Sequence, residues 1–117
     1  SISVTLQARD AAGNNITSGG LIVAMSRSGG TSTGSFSAVV DNNNGTYSAD
    51  FTGSVAGTPT TLSATIGGSP ITSTLPQVTV TPGPVSLANS TVTVGSGSVA
   101  SGSSVLVTLT ARDAQNN

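Results

Sequence analysis

From its first residues the chain alternates in character. Ile2, Val4, Leu6 and Ala8 are apolar, whereas Ser3, Thr5, Gln7 and Arg9 between them are polar. A period of two places the two sets on opposite faces of an extended strand, with one face for a core and one for water. The pattern returns at Leu21, Val23 and Met25, at Phe36, Ala38 and Val40, at Tyr47, Ala49 and Phe51, and at Leu62, Ala64 and Ile66. No segment shows the 3.6-residue spacing of an amphipathic helix. Gly19-Gly20, Gly29-Gly30, Asn42-Asn43-Asn44-Gly45, Gly57-Thr58-Pro59 and Gly67-Gly68 separate the strands, as turn chemistry requires. A last strand is expected over residues 77–81, ended by Pro82-Gly83-Pro84. The predicted fold is all-β, an antiparallel sandwich.

Its interior must be assembled from small side chains. Among 117 residues there are two Phe, one Tyr and no Trp, and 35% of the chain is hydrophobic. That length suits one domain of ordinary size. With no cysteine, no disulfide framework supports the fold. The aromatics Phe36, Tyr47 and Phe51 are all expected in the core.

The opening of the chain recurs near its end. Residues 1–11 align without a gap on residues 104–114, with eight of the eleven positions identical. Chance supplies about one identity over so short a stretch, which marks an internal repeat of 103 residues. That period matches the roughly 100 residues of an immunoglobulin-like sandwich. The expected boundary is then the Pro-Gly-Pro segment. Residues 1–82 are expected to hold one repeat without its first strand, and residues 83–117 a linker and the first two strands of the next. On this reading the chain is a tandem repeat cut out of phase.

The residues Thr-Leu-Gln-Ala-Arg-Asp-Ala-Ala-Gly-Asn at 5–14 and Asn-Gly-Thr-Tyr-Ser-Ala-Asp-Phe at 44–51 resemble bacterial immunoglobulin-like repeats. The resemblance is to those of invasin- and intimin-type surface adhesins, and continues through Ala56-Gly57 and Leu62-Ser-Ala-Thr-Ile-Gly-Gly at 62–68. Filamin-type repeats share a similar Gly-x-Tyr strand more distantly. The resemblance implies antiparallel sandwiches strung as stalks on a bacterial surface, with receptor binding confined to particular terminal domains.

Chemistry is sparsely provided for. The chain has neither His nor Lys, so Ser-His-Asp, Cys-His and Ser-Lys catalysis all lack their base. The missing Lys also rules out an isopeptide cross-link that needs an amine nucleophile. Carboxylates are limited to Asp10, Asp41, Asp50 and Asp113, expected at turns or, for Asp50, on the polar face of a strand. The stretch from Asp41 to Gly45 offers oxygen ligands. Read as a calcium loop, however, it has Thr46 where the sixth-position Gly belongs and Thr52 where the bidentate acid belongs. A hairpin turn through Asn44-Gly45 is the expectation instead. Calcium at a junction between repeats would draw on Asp10 and Asp113, with only one carboxylate in each loop.

No catalytic, cofactor or metal residue is therefore assigned, and no cofactor is expected. The chain reads as a non-enzyme. A net charge of −1 and 6% charged residues give no footprint for nucleic acid or anionic lipid. No apolar run approaches the roughly 20 residues of a spanning helix, so direct membrane insertion is not expected, and any export signal or anchor is expected outside these residues. Asn15, Asn44 and Asn89 head Asn-x-Ser/Thr patterns, at a frequency that 38 Ser and Thr residues account for.

The expected function is a structural repeat of an extracellular cell-surface protein or filament, a stalk, spacer or fibre subunit. Its expected partners are neighbouring copies of the repeat, arranged head to tail. A vacant first strand would leave an unpaired edge that residues 85–94 of a neighbouring copy could fill by β-strand complementation. Two alternatives are an adhesin module contacting a host receptor or glycan through its loops, and a viral or phage decoration domain. Arg27 is the one large side chain expected near a loop.

Overall fold

The computed structural model describes residues 1–117 as two compact units, Ser1–Thr81 and Pro82–Asn117. In the first unit, β1 (Ile2–Gln7) runs antiparallel to the long β5 (Thr46–Val55), with Val4 opposite Ala49 and Leu6 opposite Tyr47. The other edge of β5 carries β3 (Thr33–Phe36) and β4 (Val40–Asp41). A second sheet joins β2 (Val23–Ser28) to β6 (Thr60–Ile66), which also pairs with β7 (Ser69–Pro70) and β8 (Gln77–Val78). Every pairing is antiparallel, as the alternation requires.

Between the sheets, Leu6 and Ala8 meet Tyr47 and Ala64, with Val23, Met25 and Ile66 packed around them. Tyr47 and Phe51 are each 1% exposed. Full burial of side chains this size is worth roughly 1.5–3 kcal/mol each. Phe36 is only half-buried, and its ring lies 5.1 Å from that of Phe51 at a tilt of 57°. The sequence placed all three aromatics in the core, and two of them are fully there.

Two strands depart from the expected pattern. Phe36, Ala38 and Val40 do not share a face, because Val39 packs toward the core while Ala38 and Val40 are exposed. The register explains this. Phe36 lies opposite Phe51 and Val40 opposite Ser48, so four steps along one strand match three along the other. One extra residue reverses the side-chain phase, as in a β-bulge. The expected strand over residues 77–81 is the other case, because only Gln77–Val78 pair with β6. Two residues later the Val80 N–H donates to Ser32 Oγ at 3.0 Å, and its carbonyl accepts the Gly57 N–H at 3.1 Å. Leu21, expected in a strand, precedes β2 and is exposed, with its N–H donating to Tyr47 Oη at 3.0 Å.

The second unit is built on a hairpin of β9 (Thr91–Val94) and β10 (Val107–Thr110), with Val94 opposite Val107 and Val92 opposite Leu109. These four apolar side chains share one face by the alternation of a strand, and all four are exposed.

Candidate functional site

The carboxylates are dispersed into turns. Asp41 begins the β4–β5 hairpin, where it accepts the Asn43 N–H at 2.8 Å through one oxygen and the Gly20 N–H at 2.8 Å through the other. The connection runs through left-handed Asn43 and Gly45, whose φ angles are 57° and 86°, and the Asn42 N–H closes it onto the Thr46 carbonyl. It is a wider turn than a two-residue Asn-Gly loop. Asp50 is exposed on β5. No group of three acidic or other metal-ligating side chains comes together.

Asp10 and Asp113 each organise a loop. One Asp10 oxygen accepts the N–H of Ala12 at 3.0 Å and of Asn14 at 2.8 Å, while Asn14 Nδ2 donates to the other at 3.1 Å. At Asp113 the donors are the N–H of Gln115 at 2.9 Å, the N–H of Asn117 at 2.8 Å and Asn117 Nδ2 at 3.0 Å. The backbone bond from Asp10 N–H to the Asn14 carbonyl also recurs, from Asp113 N–H to Asn117. Donors to a carboxylate stabilise its ionised form. Both pKa values are accordingly lowered, that of Asp10 chiefly by the Asn14 side chain. Asp113 falls to about 2, chiefly through the Gly83 N–H, which donates to it at 2.9 Å. Asp10 has no counterpart to that last bond among its partners.

Arg27 sits one residue before the end of β2, next to the Gly29-Gly30 turn, in the loop-proximal place expected of it. It lies within β2 opposite Leu62, half-buried, and its Nη1 donates to the Ser32 carbonyl at 3.3 Å. The strand phase of Val23 and Met25 turns it toward the interior side. The three sequon asparagines are also engaged. Asn15 Oδ1 accepts from Arg9 Nε, Asn44 Oδ1 accepts from Thr46, and Asn89 Nδ2 donates to the carbonyls of Asp113 and Ala114.

The first unit carries an open groove of about 640 Å³. It runs along β1 and is floored by Leu6, Met25, Leu62, Ala64, Ile66 and Ile71. β1 ends the order of its sheet, so the groove lies beside an unpaired strand edge. The alternation of Leu62, Ala64 and Ile66 is legible in the sequence, but Ile71 and Met25 enter the same groove from separate segments.

An antiparallel sandwich without a catalytic constellation, with an edge groove and carboxylate-anchored loops, defines an immunoglobulin-like module. Residues 1–83 match the family model of invasin domain 3, and the chain belongs to that family. A solved structure from work on FdeC, an Escherichia coli adhesin described as broadly conserved and as eliciting protection against urinary tract infections, is similar over 98% of this chain. The two share 30% sequence identity with a TM-score of 0.68, and this chain spans 36% of that one. No curated protein matches. The chain is thus an adhesin-related immunoglobulin-like domain of the invasin type.

Proposed function

We propose that this chain is a non-enzymatic spacer of an extracellular, surface-exposed adhesin, in which the unit recurs head to tail and carries a binding region at a distance from the cell. The observation that supports this most is the pair of loops at Asp10 and Asp113. Donor for donor, they repeat one hydrogen-bond pattern at a separation of 103 residues. A turn so constructed at the end of equivalent strands is what successive copies of one module produce. The engagement of Arg27 with Ser32 also removes the side chain best suited to a binding hot spot.

The test exchanges this segment, within the adhesin that encodes it, for an unrelated immunoglobulin-like module of equal length. A spacer survives that exchange with adhesion intact, and loses adhesion when the segment is deleted without replacement. Loss of adhesion on the equal-length exchange would overturn the spacer reading in favour of a binding module. An antibody to this segment should label intact cells.

A further inference from the structure

We propose that Asn44-Gly45, in the connection between β4 and β5, is a self-modifying site. The Gly45 amide displaces ammonia from the Asn44 side chain, and water opens the resulting succinimide to aspartate or isoaspartate. The reaction needs no partner, and it does not rest on the spacer reading.

The sequence supplies the reacting pair. Asn44 is the only asparagine of this chain that is followed by glycine. With no side chain beside its nitrogen, glycine offers the least hindered amide for ring closure.

The turn supplies the activation. Asn44 is exposed, and its Oδ1 accepts two hydrogen bonds from Thr46, one from the N–H at 3.0 Å and one from the hydroxyl at 2.6 Å. The same hydroxyl accepts from Asn42 Nδ2 at 3.1 Å, and a hydroxyl polarised in this way donates more strongly onward. When a nitrogen adds to Asn44 Cγ, negative charge collects on Oδ1, where both donors already point. That is the arrangement of an oxyanion hole. The loop closed by the Thr46 N–H bond also contains both Asn44 Cγ and the Gly45 nitrogen, which keeps the reacting atoms together. No hydrogen bond of the structure uses the Gly45 N–H or Asn44 Nδ2, so neither nucleophile nor leaving group is held elsewhere. Asn89 differs on this point, because its Nδ2 is spent on the carbonyls of Asp113 and Ala114.

The steps balance with water as the only co-reactant. Gly45 gives its amide proton to water as its nitrogen bonds to Asn44 Cγ. The bond from Cγ to Nδ2 then breaks, and Nδ2 takes a proton and leaves as ammonia. Water adding at Cγ opens the ring to aspartate, and water adding at the main-chain carbonyl carbon opens it to isoaspartate. Nothing is oxidised or reduced. Isoaspartate lengthens the backbone of a turn that the Asn42 N–H closes onto the Thr46 carbonyl, next to the Gly45 carbonyl that holds the Ala8 N–H. The modification therefore loosens the join of β1 to β5 and records the age of the folded chain.

The test incubates the purified chain folded and, in parallel, unfolded in urea, and follows position 44 by mass spectrometry with fragmentation that distinguishes isoaspartate. The folded parent should convert to the acid forms while releasing ammonia. Thr46→Val keeps the N–H donor and removes the hydroxyl, and should slow the folded reaction at least about tenfold while leaving the rate in urea as it was. Thr46→Ser returns the hydroxyl and should return the rate. Each variant is checked for its β spectrum. Should Thr46→Val unfold, Asn42→Ala removes the donor behind the hydroxyl and should also slow the folded reaction. A folded parent that keeps Asn44 intact while the unfolded chain converts would overturn the proposal. So would a folded rate unchanged by loss of the Thr46 hydroxyl or, where that variant does not fold, by Asn42→Ala.

Discussion

Asp10 and Asp113 occupy the same hydrogen-bonded position in two loops 103 residues apart, and they differ in one partner, the Gly83 N–H that only Asp113 receives. The two aspartates are thus an internal comparison of what the segment before β9 contributes.

Acid should reveal the difference. The ordinary carboxyl value is 3.8 and Asp113 is held at about 2, so its contribution is fully present above pH 3.8 and is lost as pH falls toward 2. Chemical shifts of the Gly83 and Asn117 amides should titrate together with a midpoint near 2. A midpoint at the ordinary value would mean that the carboxylate does not hold them. Asp10 should also titrate below 3.8.

Ser32 is fully buried, and its hydroxyl is what the Val80 N–H meets after β8 has ended. Ser32→Ala leaves that N–H without its acceptor, which costs about 1–3 kcal/mol. Urea unfolding should show a lower midpoint with an unchanged slope. A variant as stable as the parent would show that water takes over the bond.

Two left-handed glycines should respond differently to a methyl group. At Gly13 an added Cβ meets nothing, so Gly13→Ala costs only backbone strain, about 1 kcal/mol. At Gly45 the same group runs into the Ile16 carbonyl, and the Gly45 carbonyl holds the Ala8 N–H. Gly45→Ala should cost at least about 3 kcal/mol, from strain and overlap together. Thermal melts of the two variants provide the ranking, and equal losses would contradict it.

Phe51 and Phe36 stack unequally into the interior. Phe51→Ala should destabilise by about 3–5 kcal/mol, as for a large side chain removed from a packed core. The half-buried Phe36 should cost less when truncated. Phe51→Leu keeps most of the burial and loses the ring contact, for about 1–2 kcal/mol. Denaturant titrations of the three variants test the order.

What could be read in advance follows from which forces leave a trace in residue types. β1, β5 and β6 were legible because Leu6, Tyr47, Phe51, Leu62 and Ala64 keep strict alternation along strands buried on one face. The phase change between Phe36 and Val39 was not, because a bulge adds a residue without demanding any particular side chain. Ser32 and Thr60, both fully buried, were hidden among many Ser and Thr whose polarity suggests water. Their burial depends on acceptors and donors from Ser28 and Val80, distant in sequence. The groove along β1 was not legible, because it required segments as separate as Met25 and Ile71. The nearness of Arg27 to the Gly29-Gly30 turn was legible, whereas its half-burial and its bond to the Ser32 carbonyl depend on strand phase and on a residue beyond the turn.

The three arginines are the only places where trypsin could cut this chain, and each is tied into the backbone network. Arg9 bridges to Asn15, Arg27 lies in the β2–β6 ladder, and Arg112 exchanges bonds with Ser86 and Ser90. A protease must draw several residues of extended chain into its cleft, so cleavage waits on local opening. A segment built this way resists digestion for as long as its strands stay closed, and the rate at which it is nicked becomes a direct clock of how often they part.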